Sequence, residues 1–272
     1  MKLISYPSLC LLLILLAFTA CNNGTEPGNQ GYNGPTVPSA RTMTYSVLTS
    51  YPHDTSFYTQ GLEFYKGRLL EGTGSGSFAG SFLMEVDLKT GKALRRHTLG
   101  EEFFGEGITV VNDTVYQLTY QNRKVFSYSV SDFKKIAEFP LQHEGWGLTN
   151  NGRELIASDG SNRLYYYEPG SFRLLRTQTV TDGGAPVLNI NELEFVNGFI
   201  YANQYQYPYI LKIDPDAGTV VAKADMTDLW TRTRNLKPDA DVLNGIAYDS
   251  SRQTFFVTGK LWPEMYEVKF SE

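Results

Sequence analysis

The segment Glu106-Gly107-Ile108-Thr109-Val110, followed two residues later by Asp113-Thr114-Val115-Tyr116-Gln117, has the pattern of two β-strands joined by a tight turn. Its apolar residues are mostly β-branched, and Asn and Asp lie where the chain would reverse. The same pattern occurs five times along the chain. The first residues of the copies, which are 46, 40, 45 and 53 residues apart, are Gln60, Glu106, Trp146, Asn191 and Asn244.

A spacing of 40–50 residues is the length of a four-stranded propeller blade. Two further strands fit into each interval, so the sequence predicts an all-β chain folded as a five-bladed β-propeller. The fifth repeat contains three strands, and the strand at residues 43–48 has no partner in the first repeat. Because a closed ring leaves no sheet edge exposed, we expect this N-terminal strand to complete the last blade. An open array of β-sandwiches is the alternative.

Composition excludes several other classes of protein. The chain has 272 residues, of which 42% are hydrophobic and 19% charged, with a formal net charge of −5. Disordered chains have fewer apolar and more charged residues, and collagen-like and coiled-coil chains have a short, strict sequence repeat. No run of Lys and Arg is present to neutralise a phosphate backbone, so nucleic acid is not an expected partner.

The N-terminal residues have the features of an export signal. Residues 1–20 carry one charge and an apolar run too short to span a bilayer, which predicts a lipoprotein signal peptide. The sequence before Cys21 resembles a bacterial lipobox, which predicts lipidation of that cysteine; an ordinary cleavage site is the alternative. Residues 21–41 are then the lipidated Cys and a flexible linker, and residues 42–272 the catalytic domain. We expect a monomeric lipoprotein of the bacterial cell envelope, periplasmic or surface-facing, held to the membrane by lipid only.

The first strands of propeller blades line the central channel, so the first residues of the five repeats should face one another. The second strands return to the same mouth and would add Tyr120, Tyr205 and Lys260. A simpler interpretation is that the repeat-initial polar residues only close turns. Glu106 argues against it, because a carboxylate between two Phe and two Gly is unfavourable unless it is paired or used.

Six motifs resemble those of the plant-type glutaminyl-peptide cyclotransferases, which occur in plants and bacteria, over roughly residues 42–270. The motifs are Tyr58-Thr59-Gln60-Gly61-Leu62, Phe104-Gly105-Glu106-Gly107-Ile108, Glu144-Gly145-Trp146-Gly147-Leu148, Asn191-Glu192-Leu193-Glu194, Asp241-Val242-Leu243-Asn244-Gly245-Ile246-Ala247 and Thr258-Gly259-Lys260-Leu261-Trp262-Pro263. The resemblance implies a five-bladed propeller that converts the N-terminal glutamine of peptides or proteins to pyroglutamate and releases ammonia. It implies no metal and no other cofactor.

The resemblance also assigns roles to individual residues. It makes Glu106 the general acid and base, Gln60, Asn191 and Lys260 polar contacts to substrate, and Trp146 a wall of the pocket. Lys260, or an amide of Gln60 or Asn191, would stabilise the developing oxyanion. The family typically has Trp where this chain has Tyr120 and Tyr205, so two hydroxyls are added to the aromatic cage. Asn244 completes the expected set of substrate contacts.

Two other functions remain open from the residues alone. Glu106, Asn191 and Asn244 could hold a divalent cation, as in propeller lactonases, although Lys260 would repel it. A lipid-anchored propeller that binds a peptide or glycan without catalysis is the other possibility. Zinc is not expected, because the three His residues have no metal-ligand spacing and no Cys partners.

Overall fold

The computed structural model describes residues 38–74 and 80–271. The predicted signal peptide, Cys21 and most of the predicted linker lie outside these ranges. The first described strands are Arg41–Thr42 (β1) and Thr44–Pro52 (β2).

Four sheets have four strands each. The first contains Tyr58–Tyr65 (β3), Arg68–Gly74 (β4), Phe82–Asp87 (β5) and Lys92–Thr98 (β6). The second contains Gly105–Val111 (β7), Thr114–Thr119 (β8), Lys124–Ser129 (β9) and Lys135–Pro140 (β10). The third contains Leu148–Asn150 (β11), Leu155–Ser158 (β12), Arg163–Glu168 (β13) and Arg173–Thr179 (β14). The fourth contains β2 together with Leu243–Asp249 (β21), Thr254–Gly259 (β22) and Glu264–Ser271 (β23).

The remaining sheet has seven strands. It contains Thr181–Asp182 (β15), Ala185–Pro186 (β16), Ile190–Val196 (β17), Phe199–Gln204 (β18), Tyr209–Asp214 (β19) and Thr219–Asp225 (β20), with β1 paired to β20 in parallel. The fold is a β-propeller, but the prediction of five blades is wrong, because the described residues form four four-stranded blades. Four sheets are four-stranded blades, whereas this sheet is widened by β1, β15 and β16.

The burial of the strands explains their order in each sheet. All seven residues of β7 are buried, whereas β6 and β10 consist of exposed and half-buried residues. The first strand of a sheet therefore lies in the interior and the last strand at the periphery. Two-residue turns join several first and second strands, and in Asn112-Asp113 both residues have positive φ, 49° and 58°. Turns of this kind match the twist of a β-hairpin and fix its register.

The N-terminal strand pairs with the C-terminal strand, as the unpartnered sequence at 43–48 suggested. β2 runs antiparallel to β23, from Thr44 opposite Ser271 to Pro52 opposite Glu264. Large apolar side chains fill the spaces between neighbouring sheets, and one cluster joins Leu62 and Met84 of the first sheet to Phe256 and Met265 of the last. Chain ends far apart in sequence are thereby packed into one ring.

One helix, Thr227–Leu236 (α1), interrupts the β structure between β20 and β21 and was not expected from the sequence. It buries Leu229 and Thr233, which lie one turn apart on one face. The helix accounts for the longest repeat interval, the 53 residues between Asn191 and Asn244. In the described part of the chain, no helix combines the length and apolarity that crossing a bilayer requires.

Candidate active site

Four of the repeat-initial residues lie in β-bulges of the innermost strands. In β7, Gly105 pairs with Thr119 and Ile108 with Gln117, so β7 has one residue more than β8 between the two pairs. The same irregularity occurs in the three other inner strands, at Gln60, at Asn191 and at Asn244. A bulge bends the strand and changes the direction of a side chain. The side chains of these four residues therefore do not follow the regular alternation of side-chain directions along their strands.

Glycine after the site residue allows the inner strands to approach closely. A Cβ atom on Gly107 would lie 2.5 Å from the backbone nitrogen of Leu148 and 2.6 Å from the carbonyl oxygen of Trp146. The amide of Gly107 donates to that same carbonyl at 2.8 Å. Any larger residue would push the second and third sheets apart and widen the site.

A cavity of about 260 Å³ lies where these strands meet. It is smaller than the roughly 300–1,000 Å³ of sites for drug-sized ligands, so it suits a group the size of one amino-acid residue. Seven of the eight predicted catalytic and substrate-binding residues line it. The full lining is Tyr58, Gln60, Phe104, Glu106, Tyr120, Trp146, Asn191, Tyr205 and Lys260.

Aromatic rings form most of the cavity wall. The Trp146 indole meets the Tyr205 ring edge to face, with centroids 5.5 Å apart and an interplanar angle of 83°. Phe104 lies between Tyr58 and Tyr120, with centroid distances of 6.3 Å and 6.0 Å. Predicted wall residues Tyr120, Trp146 and Tyr205 are therefore all at the cavity.

Lys260 is almost fully buried, and its ammonium lies against two of these rings. The Nζ atom is 4.6 Å from the centroid of Tyr58 and 5.0 Å from that of Tyr205. A cation over an aromatic face is attracted by the ring quadrupole, more strongly where water is excluded. Burial lowers the pKa of Lys260, and the negative charges of Glu106 and Asp241 oppose this effect.

Glu106 is 4% exposed. Burial raises its pKa well above the usual value, the charge of Lys260 acts in the opposite direction, and Glu144 raises it further. No hydrogen bond from a described residue contributes to this shift in the pKa of Glu106. The carboxyl group of Glu106 is therefore free to form hydrogen bonds with a bound molecule and can exist in either protonation state.

Two further polar groups in the cavity have unused hydrogen-bonding capacity. The Oδ1 atom of Asn191 and the Nε1 atom of Trp146 are buried and have no partner among the described atoms. An unpaired buried polar group is costly. An acceptor and a donor, from two consecutive repeats, are thus available for one small polar ligand.

Asn244 is the predicted site residue that does not line the cavity. Its Nδ2 atom donates to the carbonyl oxygen of Thr59 at 3.0 Å and lies 3.4 Å from the Oε1 atom of Gln60. Asn244 therefore lies behind the cavity wall, and its direct contact with substrate stays a prediction. Its side chain is fully buried, and it holds the strand that carries Gln60.

Sequence reasoning missed two residues of the cavity wall, Tyr58 and Phe104. Each comes two residues before a site residue, Tyr58 before Gln60 and Phe104 before Glu106. Both are in the motifs that carry the family resemblance, so their positions were visible although their role was not. The hydroxyl of Tyr58 donates to Asp241 at 3.1 Å, which fixes the ring beside Lys260.

A carboxylate that the sequence reasoning did not single out lies beside Asn191 in the same bulge. Glu192 occupies the position that is Gly in the other repeats, and it is fully buried. It accepts the backbone amides of Leu62 at 3.2 Å and Ile246 at 2.9 Å, so it links three sheets near the axis. Burial raises the pKa of Glu192 well above the usual value.

Within residues 38–74 and 80–271, no group of three or more His, Cys, Asp and Glu side chains is arranged to hold a metal ion. Cys21, the predicted lipidation site, lies outside these residues.

An acid and a cation that are both buried, perturbed in pKa and enclosed by aromatic rings characterise an enzyme site. The class defined by fold and site is thus a β-propeller enzyme whose site lies where the inner strands meet. The chain matches the family model described as glutamine cyclotransferase over residues 12–270. It belongs to the glutamine cyclotransferase family.

Two known proteins show how close the similarity is. The glutaminyl-peptide cyclotransferase of Arabidopsis thaliana is 35% identical over 243 residues, covering 86% of this chain and 73% of that protein. The crystal structure of Myxococcus xanthus glutaminyl cyclase is 35% identical with a TM-score of 0.80, covering 86% of this chain and 99% of that one. The predicted enzyme class, a glutaminyl-peptide cyclotransferase, is confirmed, and the lactonase and the non-catalytic propeller are set aside.

Proposed function

We propose that Glu106 carries out both proton transfers of the reaction, on the N-terminal glutamine of a peptide or protein bound in the cavity. The observation that carries this proposal is the environment of the Glu106 carboxyl group. It is a buried carboxyl group whose pKa is shifted by burial and nearby charges and not by a hydrogen bond from a described residue, and it faces a cavity of single-residue size. Burial raises the pKa of Glu106, which makes its carboxylate a stronger base than an exposed one.

The reaction begins when the α-amine nitrogen attacks the carbon of the γ-carboxamide. A carbon–nitrogen bond forms, the carbonyl oxygen becomes an oxyanion, and Glu106 accepts a proton from the attacking nitrogen. Protonated Glu106 then gives this proton to the amide nitrogen, the old carbon–nitrogen bond breaks, and ammonia leaves. The products are the five-membered lactam and ammonia, and Glu106 is again a carboxylate.

The other polar groups have separate tasks in this scheme. The Lys260 ammonium stabilises the oxyanion, and the amide of Gln60 adds a donor. The free Oδ1 of Asn191 accepts an N–H of the α-amine, which directs the nitrogen lone pair to the carboxamide. One preorganised oxyanion donor is worth about 3 kcal/mol.

The aromatic walls supply the geometry of ring closure. A free glutamine side chain has several rotatable bonds, and only bent conformations bring the amine to the carboxamide. The rings of Phe104, Trp146 and Tyr205 line a cavity of about 260 Å³, and in this scheme they hold the glutamine side chain in a bent conformation. Holding the reacting groups together reduces the entropic part of the barrier.

The test is ammonia and pyroglutamate release from a Gln-initiated dipeptide at about pH 8, where a free α-amine is largely neutral. The wild-type domain should act equally with and without EDTA. Glu106→Gln should lower kcat by about 10²–10⁴-fold, the usual contribution of a general acid–base. The matched control is Glu138→Gln, which removes an exposed carboxylate paired with Lys124 and should leave the rate unchanged. Full activity of Glu106→Gln would refute the assigned role.

We also propose that the mature protein is exported as a monomeric lipoprotein of the bacterial cell envelope, with Cys21 as its lipidated N-terminal residue. The support is the sequence of residues 1–41 alone. Labelling with a radioactive fatty acid should mark the wild-type protein and not Cys21→Ser, which should be found in the soluble fraction. Sedimentation of the domain tests the monomer.

A further inference from the structure

A buried ion pair lies next to the active site and takes no part in the proposed chemistry. The Nε2 atom of His53 is 3.2 Å from the Oε1 atom of Glu71, and both side chains are fully inaccessible to solvent. The other ring nitrogen, Nδ1, is 2.8 Å from the carbonyl oxygen of Trp262. The pair connects the loop after β2 with the middle of β4 and with the turn that follows β22.

A doubly protonated His53 ring can donate to both of its partners, the carbonyl of Trp262 and the carboxylate of Glu71. A backbone carbonyl can only accept a hydrogen bond, and the Oε1 atom of Glu71 also accepts the Thr59 hydroxyl at 2.7 Å. Burial alone would favour the neutral ring. The charge of Glu71 and the hydrogen bonds to Glu71 and Trp262 outweigh it, and they raise the pKa of His53 above the usual value.

On one side, the pair holds the turn that carries Lys260. The backbone amide of His53 donates to the Pro263 carbonyl at 3.0 Å, so one residue binds two successive carbonyls, those of Trp262 and Pro263. The amide of Leu261 donates to the Phe57 carbonyl at 2.8 Å. The residues directly after Lys260 are therefore held by the segment that begins at His53.

On the other side, the pair holds the strand that carries Gln60. The Thr59 hydroxyl binds Glu71, and the Thr59 carbonyl accepts the Nδ2 atom of Asn244 at 3.0 Å. The same Nδ2 atom lies 3.4 Å from the Oε1 atom of Gln60. One continuous set of hydrogen bonds thus runs from the turn of Lys260, through His53 and Glu71, to Gln60.

We propose that His53 and Glu71 are a pair of positioning residues that fix the Lys260 ammonium relative to Gln60 and the aromatic wall. The proposal rests on the proposed function in one respect, since Lys260 and Gln60 matter to the rate only through their assigned roles. His53 and Glu71 do not line the cavity and do not contact substrate. Their effect on the reaction passes through the two segments they join.

The variant that tests the pair is Glu71→Gln. Glutamine keeps the shape of the side chain and can still accept the Thr59 hydroxyl, but it has no charge, so the attraction that raises the pKa of His53 and holds the two side chains together is lost. We expect kcat to fall by about 10–100-fold, because small displacements of reacting groups have effects of this size. KM should stay within about threefold of the wild-type value, because the walls of the cavity are unchanged. A variant that is only less stable would show a lower melting temperature with normal kcat.

A matched pair of substitutions at Thr59 distinguishes the effect of its hydrogen bond to Glu71 from the effect of its side-chain shape. Thr59→Val keeps the branched shape and removes the hydroxyl, and it should lower kcat in the same direction as Glu71→Gln. Thr59→Ser keeps the hydroxyl and should retain most of the activity. The control is His97→Gln, since His97 lies on the outer strand β6 against Tyr128 and not at the pair.

A second readout does not depend on activity. The ε-methylene protons of Lys260 lie near two aromatic rings, and their NMR resonances should carry ring-current shifts. Glu71→Gln should move these resonances, and His97→Gln should not. Unchanged Lys260 resonances, or a normal kcat in folded Glu71→Gln, would overturn the positioning role. If the wild-type protein releases no ammonia while Glu71→Gln still moves the resonances, the proposed function fails and the positioning role stands.

Discussion

Replacing Lys260 by Met tests the electrostatic coupling on which the proposed mechanism depends. Methionine keeps the unbranched stem of lysine against the rings of Tyr58 and Tyr205 and removes only the charge and the donors. If the ammonium stabilises the oxyanion, its loss costs about 3–4 kcal/mol in the transition state, or roughly 10²–10³-fold in kcat. The change in KM should be small, because the cavity keeps its volume.

The same substitution should change the pH dependence in a defined direction. The charge of Lys260 lowers the pKa of Glu106, so its removal raises the pKa of this buried carboxyl group further. Less of Glu106 is then in the carboxylate form near neutral pH. The acid limb of the kcat profile, which reports groups in the enzyme–substrate complex, should therefore move to higher pH.

The assay is initial-rate ammonia release with one Gln-initiated peptide between about pH 5 and pH 9, so the substrate amine contributes equally to every profile. Lys260→Arg keeps the positive charge and should leave the acid limb near its wild-type position even if kcat falls. Lys66→Met removes an exposed cation paired with Asp113 at 2.8 Å and should change neither quantity. An acid limb of Lys260→Met that stays in place or moves to lower pH would refute the coupling.

Two further substitutions test packing and buried charge. Gly160→Ala should raise KM severalfold in the same assay, because Gly160 has a φ of +79° and its Cβ would lie 2.6–2.8 Å from the Trp146 indole. An unchanged KM would show that the indole can move aside without weakening substrate binding. Burial raises the pKa of Glu63 to about 8 against an ordinary value of 4.5, so folding favours its protonated form and stability is lost as the pH rises from about 4.5 to 8. The melting temperature of Glu63→Gln, measured by calorimetry, should therefore exceed that of the wild type at pH 9 and exceed it by less at pH 5. A larger difference at pH 5 than at pH 9 would contradict this reasoning.

Much of the site was predictable because equivalent residues of repeated strands come to one level around an axis. The spacing alone places Gln60, Glu106, Trp146 and Asn191 together, and all four line the cavity. Lys260 followed from the antiparallel return of the second strand. Their assigned roles are not decided by position, and they remain proposals to be tested by the substitutions above.

The widened sheet and the helix were not predictable by the same reasoning. A period of 40–50 residues gives the number of repeats but not the number of strands in each. β15 and β16 have two residues each, too few for an alternating pattern, and β1 is as short. The helix contains Thr at three of its ten positions, a residue more typical of strands, and packing of its buried face contributes to its stability.

The bulges of the inner strands, and the different surroundings of Asn244 and Glu106 within them, were also not predictable from the sequence. Whether a strand contains an extra residue depends on its partner, as when Leu243 pairs with Gly259 and Ile246 with Val257. The sequence of β21 alone does not contain this information. Asn244 and Glu106 occupy equivalent positions before a glycine, yet Glu106 faces the cavity and Asn244 binds the backbone of Thr59. The repeat therefore determines which residues meet at the axis. The hydrogen-bond partners of each side chain then determine which of these residues line the cavity.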